Sequence, residues 1–243
     1  MKIATIITGR NCEQYAAECI ESILSQKHKP HEVFVWDDAS EDGTADILAG
    51  YDVTVQRPAT RSGALRGRYE FVHTTTADVV CFVGLDDSLP FTSLATINRH
   101  YEANPRLCMT WGSWRSATRA KFSGGQYSDN VWRHRSFRRE IWKATAMNTF
   151  KTDMIRQVPK DKLMIGNDWF TNCTDLAYSF PCLEMLDKGQ TACVEEVVYN
   201  YREDHPKNTL NTYGMFDKEQ VKIVLRGMKP METRYEALPS HAL

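Results

Sequence analysis

Two pairs of adjacent aspartates are the residues in this sequence best placed to do chemistry. Asp86 and Asp87 close the segment VCFVGLDD, and Asp37 and Asp38 close HEVFVWDD. Each pair follows an apolar, β-branched run that reads as a buried strand. Adjacent like charges repel and neither belongs in a core, so something positive is expected where such a strand ends. The competing use is a turn. Asp86 and Asp87 stand just before Pro90, and Asp37 and Asp38 just before Ser40, Asp42 and Gly43, all turn formers.

The elements that must position these acids alternate in type. KIATIIT (2–8), HEVFVWDD (31–38), VTVQ (53–56) and ADVVCFVGLDD (77–87) read as strands. Between them, residues 12–26 place Tyr15, Cys19, Ile20, Ile23 and Leu24 on one helical face, Ser40 stands as an N-cap, and 66–76 reads as a helix. Strand–helix alternation predicts a parallel, doubly wound α/β sheet, whose ligands sit beyond the carboxyl ends of the strands. Both Asp pairs fall at such ends.

The second half is less regular. Residues 108–114 and 192–202 read as strands, 175–189 as a helix stopped by Gly189 and kinked or broken at Pro181, and 217–228 as a last helix. Between them lies a stretch rich in arginine and aromatic residues, including Arg133, Arg135, Arg138, Arg139, Trp132 and Phe137. No repeat, low-complexity tract or linker interrupts the chain.

Bulk properties exclude several classes. The 243 residues carry a formal net charge of −1, which argues against a polycation built to hold nucleic acid. No apolar window is long enough to span a bilayer, and the first apolar run is too short for a signal peptide. Seven cysteines without a C-x-x-C pair point to a reducing, cytoplasmic setting and no structural zinc.

The segment ATIITGRNCEQYAAECIESILSQKHKPHEVFVWDDASEDGTADIL resembles the opening of the family 2 glycosyltransferases of the GT-A fold, although TGRN stands where Pro-Thr-Tyr-Asn is usual. The similarity resumes at GALRGRYEFVHTTTADVVCFVGLDDSLP and, more loosely, from TDLAYSFPCLEM to EEVVYNYREDHPKN. It implies a Rossmann-like, mostly parallel sheet flanked by helices over residues 1–208, with a nucleotide-binding half to about 107 and an acceptor half after it, then a helical tail over 209–243.

It also implies an inverting enzyme that takes a nucleoside-diphosphate sugar, UDP-sugar in particular, and uses Mn2+ or Mg2+. Hard cations prefer carboxylate oxygens and commonly take only one or two beside substrate phosphates. Gly84 occupies the first acidic position of the family's Asp-x-Asp motif, so Asp86 is the metal candidate, with Asp87 second and His205 a further possible ligand. Thr8, Gly9, Arg10 and Asn11 form the turn after the first strand, and Asp37 or Asp38 would accept from the base or the ribose. Arg68 would lie near the base or diphosphate, with Arg66 and Arg61 competing for that place. The general base is Asp175, in a D-x-A…P-x-L-E-M segment, or else Asp168. Arg202 would meet the diphosphate.

Arg135, Arg138 and Trp111 are expected on the acceptor side. The acceptor would be a glycan or its precursor, or a hydroxymethylated base in DNA. The missing first acid leaves a catalytically degenerate nucleotide-sugar binder as the rival. A nucleotidyltransferase is disfavoured, since TGRNCEQY is no Gly-rich phosphate loop.

Overall fold

The computed structural model describes residues 1–203 and 219–235. Strands β1 (Ile3–Gly9), β2 (Glu32–Asp37), β3 (Thr54–Gln56) and β4 (Val79–Gly84) alternate with α1 (Ala16–Leu24), α2 (Thr44–Leu48) and α3 (Ala64–Thr74). Then come α4 (Ser93–Ala103), β5 (Met109–Arg115), α5 (Asp129–His134), β6 (Thr149–Lys151), α6 (Thr152–Ile155), the β7–β8 hairpin (Met164–Ile165, Asp168–Trp169), α7 (Thr174–Met185) and β9 (Thr191–Asn200). A further helix, α8, covers 219–227.

Seven strands form one sheet in the order β3-β2-β1-β4-β6-β5-β9. Only β6 runs against its neighbours; β1 pairs in parallel with both β2 and β4, and β5 with β9. The sheet is therefore mixed α/β and mostly parallel, with helices on both faces. Alternating side chains of β1 feed two cores, as the period of two requires. Ile3 and Ile7 pack with α1, α2 and α4, while Ala4 and Ile6 pack with α3, α5, α6 and α7.

Several local expectations give way to tertiary context. Ser40 does not cap α2; its hydroxyl is drawn to Asp37, while the Asp42 carboxylate accepts from Thr44 N–H at 3.1 Å. Helix α7 runs through Pro181 and ends at Met185, short of Gly189. Every residue from Leu176 to Met185 is buried, so packing on all sides holds a helix that its proline would weaken. Strand β6 and the β7–β8 hairpin were not foreseen.

Two arginines of the basic stretch, Arg135 and Arg138, are spent on the fold, while Arg133 and Arg139 stay exposed. Arg138 is buried and forms a two-pronged pair with Glu184 of α7, its Nη2 donating to Oε2 at 2.9 Å. The same Oε2 accepts Met231 N–H at 2.9 Å, and Arg138 also donates to the Leu225 carbonyl, which fastens 219–235 onto α7. Arg135, half-buried, donates to the Leu183 carbonyl at 3.2 Å and pairs with Asp187 at 3.0 Å. Arg138 is thus no acceptor ligand, because its guanidinium is enclosed and fully engaged, and Arg135 is tied to the end of α7. Trp111 is fully buried, its indole N–H on the Gly125 carbonyl at 3.0 Å, and offers no face to a sugar.

Removing one partner of a buried pair strands the other charge, at a cost of about 3–5 kcal/mol. Glu184→Ala is expected to lower unfolding stability by that order in urea titration. Exchange of both Arg138 and Glu184 for apolar residues of similar volume should recover most of the loss. A single variant as stable as the parent would contradict the burial seen here.

Candidate active site

The carboxyl end of β4 meets the end of β1 at van der Waals range. Leu85 N–H donates to the Thr8 carbonyl at 3.0 Å, and a Cβ on Gly9 would stand 2.4 Å from Leu85 Cβ. A side chain at position 9 would push the two strand ends apart. Gly84 is constrained in another way: a Cβ there would lie 2.7 Å from Asp86 Oδ1 and 2.8 Å from Asp87 Oδ2. The acid that the family pattern puts at this position would have to displace the two that follow it.

Asp87 is buried and held by β9 and the residues after it. The Tyr199 hydroxyl donates to Oδ2 at 2.6 Å and accepts Gly84 N–H at 3.0 Å, while Arg202 N–H donates to Oδ1 at 2.7 Å. Burial first, and the Asp86 charge second, push the Asp87 carboxyl well above the ordinary carboxylate range. Asp86 is only half-buried. Arg202 is the positive group that meets this strand end: its Nε donates to the Asp86 carbonyl at 2.9 Å, and Nη2 pairs with Glu18 at 2.6 Å. Its guanidinium also lies 4.4 Å from the centre of the Tyr15 ring.

Arg68 and Asp175 approach from α3 and α7. Arg68 Nη1 donates to Thr174 Oγ1 at 2.7 Å, and the guanidinium lies 4.9 Å from the Phe82 ring centre. Burial draws the Arg68 pKa below its usual value, and the neighbouring Asp175 charge pulls it the other way. Asp175 is half-buried in the first turn of α7, where the helix dipole favours a carboxylate. Tyr201 follows β9, its ring 5.3 Å from that of Trp114. Its phenol is pushed up to about 12, by burial first and then by the charges of Asp87, Asp86, Glu203 and Asp175.

The other candidates fall in different places. Asp168 is exposed on β8, in the hairpin. Arg66 pairs along its own helix with Glu70 at 2.8 Å. His205 lies outside the described residues. The sequence reading gave no site role to Tyr15, which it placed on the apolar face of α1, to Glu18, or to the two strand-end tyrosines, Tyr199 and Tyr201. Their one signal is the alternation in YNYR, which sends Tyr199 and Tyr201 to the same side of a strand.

Around the second acidic pair, the expected turn chemistry is present. Asp38 is buried and accepts from Ser62 N–H at 2.8 Å and from Gly63 N–H at 2.9 and 3.0 Å, which fixes the entry to α3. Asp37 Oδ1 accepts Ser40 N–H at 3.0 Å. Asn11, at φ 55°, latches the β1 turn to this one: its N–H donates to Ser40 Oγ at 2.9 Å and its Oδ1 accepts Glu41 N–H at 2.8 Å. Beside these turns opens a cavity of about 610 Å3, lined by Arg10, Ala39–Glu41 and Arg57–Arg61, within the size range of small-ligand sites. Arg61 stands at its rim, 3.8 Å from Asp38.

Among the described residues no cluster of three or more His, Cys, Asp or Glu side chains could hold a metal by itself. A half-buried and a buried carboxylate side by side do fit a cation that shares its shell with a phosphate ligand, as Mg2+ commonly does.

A mostly parallel sheet with paired acids and a cavity at its carboxyl edge agrees with the GT-A fold of the solved structures it resembles. The family model for glycosyl transferase family 2 matches residues 5–162, and the chain belongs to that family.

Among curated relatives, it is 50% identical over 50 residues to a putative glycosyltransferase, EpsE, of Bacillus subtilis (21% of this chain, 18% of EpsE). It is 30% identical over 90 residues to the same organism's putative teichuronic acid biosynthesis glycosyltransferase TuaG (35% of this chain, 36% of TuaG). The matched part is thus about a fifth to a third of those relatives. Among solved structures, S. aureus TarS in complex with UDP superposes with a TM-score of 0.61 at 15% identity, covering 94% of this chain and 67% of that one.

Proposed function

We propose that this protein transfers a sugar from a nucleoside-diphosphate sugar, a UDP-sugar in particular, to a hydroxyl of a glycan or glycan precursor, with inversion at the anomeric carbon. The observations that carry the reading are that Asp86 and Asp87 at the end of β4 meet Arg202 after β9, and that Arg68 of α3 meets the first turn of α7, where Asp175 stands. The UDP complex of a protein with this fold supports the donor class, and the names of the curated relatives support glycosyl transfer.

Asp86, seconded by Asp87, would hold Mn2+ or Mg2+, which when bound supplies Lewis-acid neutralisation of the departing diphosphate. Arg202, fixed between Glu18 and the Asp86 carbonyl, adds a cation at the same place. Asp175 takes the proton of the acceptor hydroxyl as its oxygen bonds to the anomeric carbon and the bond to the diphosphate oxygen breaks. Arg68 and Thr174 hold the start of α7, and so the placement of that base. With Arg138 enclosed and Arg135 tied down, the basic stretch no longer argues for DNA or another polyanion as acceptor.

The stereochemical part has its own test. A UDP-α-sugar should give a β-linked product, read from the anomeric coupling constant of the isolated glycoside. An α-linked product would remove Asp175 as a base acting in a single displacement.

A further inference from the structure

We propose that Trp114, Phe122 and Tyr201 form an acceptor subsite beside the reaction centre, and that the unit they receive is an uncharged sugar ring. This deepens the transfer reading above and rests on it. Strand β6 runs against both β4 and β5, so β5 runs with β4 and ends at the same edge of the sheet. There the chain turns back on itself. Ser116 and Arg119 exchange backbone bonds at 2.8 and 3.4 Å, and Trp114 and Phe122 pair across the turn at 2.9 and 2.7 Å. The result is a short hairpin over 114–122.

The hairpin and the strand-end acids share one segment of chain. Tyr201 N–H donates to the Arg115 carbonyl at 2.7 Å, and the next N–H, that of Arg202, donates to Asp87 Oδ1 at 2.7 Å. Thr118 of the hairpin donates to Glu203. The Tyr201 phenol, raised by burial first, also feels the charges of Asp87, Asp86, Glu203 and Asp175. A ligand against its ring therefore lies within reach of the strand-end acids and of the base that would take the acceptor's proton.

Three rings meet here and none is fully covered. Trp114 lies 5.0 Å from Phe122 and 5.3 Å from Tyr201, centre to centre, and all three are half-buried. A pyranose has a face of C–H groups, and such a face packs on the electron-rich face of an aromatic ring. The rim chooses between a sugar and a charged ligand. Exposed Arg119, 5.8 Å from the Trp114 centre, supplies donors only, whereas the Glu203 carboxylate supplies acceptors only. Sugar hydroxyls donate and accept, so they can satisfy both. A phosphodiester only accepts, and it would meet the like charge of Glu203.

The test is transfer by the full chain with Mn2+ from the UDP-sugar it turns over to methyl glucoside, galactoside, mannoside and N-acetylglucosaminide, set against calorimetric UDP affinity. Trp114→Ala and Tyr201→Leu are expected to lower kcat/KM for the methyl glycoside about tenfold or more, the scale of one lost aromatic contact. Their UDP affinity should stay within about threefold of the parent. Tyr201→Phe keeps the ring and should keep most of the transfer. If a ring variant loses UDP affinity in step, Arg119→Ala, a change at an exposed position, decides the matter. Its transfer should fall about three- to tenfold with UDP affinity kept. Unchanged transfer in Trp114→Ala and Tyr201→Leu, or in that deciding Arg119→Ala, would overturn the subsite. Wild type that releases UDP but glycosylates none of the four pyranosides would overturn the sugar assignment and leave the donor reading standing. Wild type that binds no UDP would remove the donor reading, and this inference with it.

Discussion

Asp86→Ala is expected to reduce metal-dependent turnover by on the order of a thousandfold or more, the scale of losing several kcal/mol of charge stabilisation at a leaving group. The folded protein should survive the change. Asp86 is half-buried, and Asp87 keeps its contacts with Tyr199 and the Arg202 N–H. The loss should therefore appear in the chemistry and in metal-dependent nucleotide affinity, with thermal unfolding nearly unmoved. Asp87→Ala should behave differently. Its carboxyl holds Tyr199 and the chain at Arg202 together, so this variant should lose stability as well as activity. If Asp86→Ala kept most of its metal-dependent turnover while folded Asp87→Ala lost it, the assignment of Asp86 as the leading ligand would be reversed.

Asp175→Asn is expected to lower transfer to the acceptor by about 10^2–10^4, the usual contribution of a general base. The amide keeps the shape of the side chain and cannot take the proton. Donor affinity should change by no more than about two- to threefold, because the strand-end acids and Arg202 remain in place. Slow hydrolysis of the donor should persist. Asp168→Asn, a change on an exposed hairpin, is expected to transfer at the parent rate. The opposite pattern would move the base to the hairpin and require that hairpin to close on the cleft.

Comparison of these acids shows what can be read from a sequence. The ends of β1, β2 and β4 were legible because each joins an apolar run to a polar turn, a strictly local pattern. Helix α1 was legible from one apolar face. Strand β6, three residues long, exists only through its pairing with β4 and β5, and no local pattern marks it. The β7–β8 hairpin did carry a signal in its Gly166–Asn167 turn, and it is this hairpin that takes Asp168 to the surface.

The basic stretch misled for a related reason. Arg138 looks like a surface charge until Glu184, 46 residues later, is seen to meet it in the core. Charge is visible in a sequence, but the partner that neutralises it at long range is not. Asp37 is the subtler case. Its position at a strand end was readable, while its enclosure by Ser40 and Arg57 depends on three turns meeting.

The most direct test of the central claim is a nucleotide-release assay with UDP-, GDP-, CDP- and dTDP-sugars, each with Mn2+, Mg2+ or EDTA. The expected result is release of one nucleoside diphosphate, UDP, that is abolished by EDTA and by Asp86→Ala. If every donor stays intact under all three conditions, Gly84 marks a site that has kept the fold and lost the transfer, and the chain would be a nucleotide-sugar binder at most.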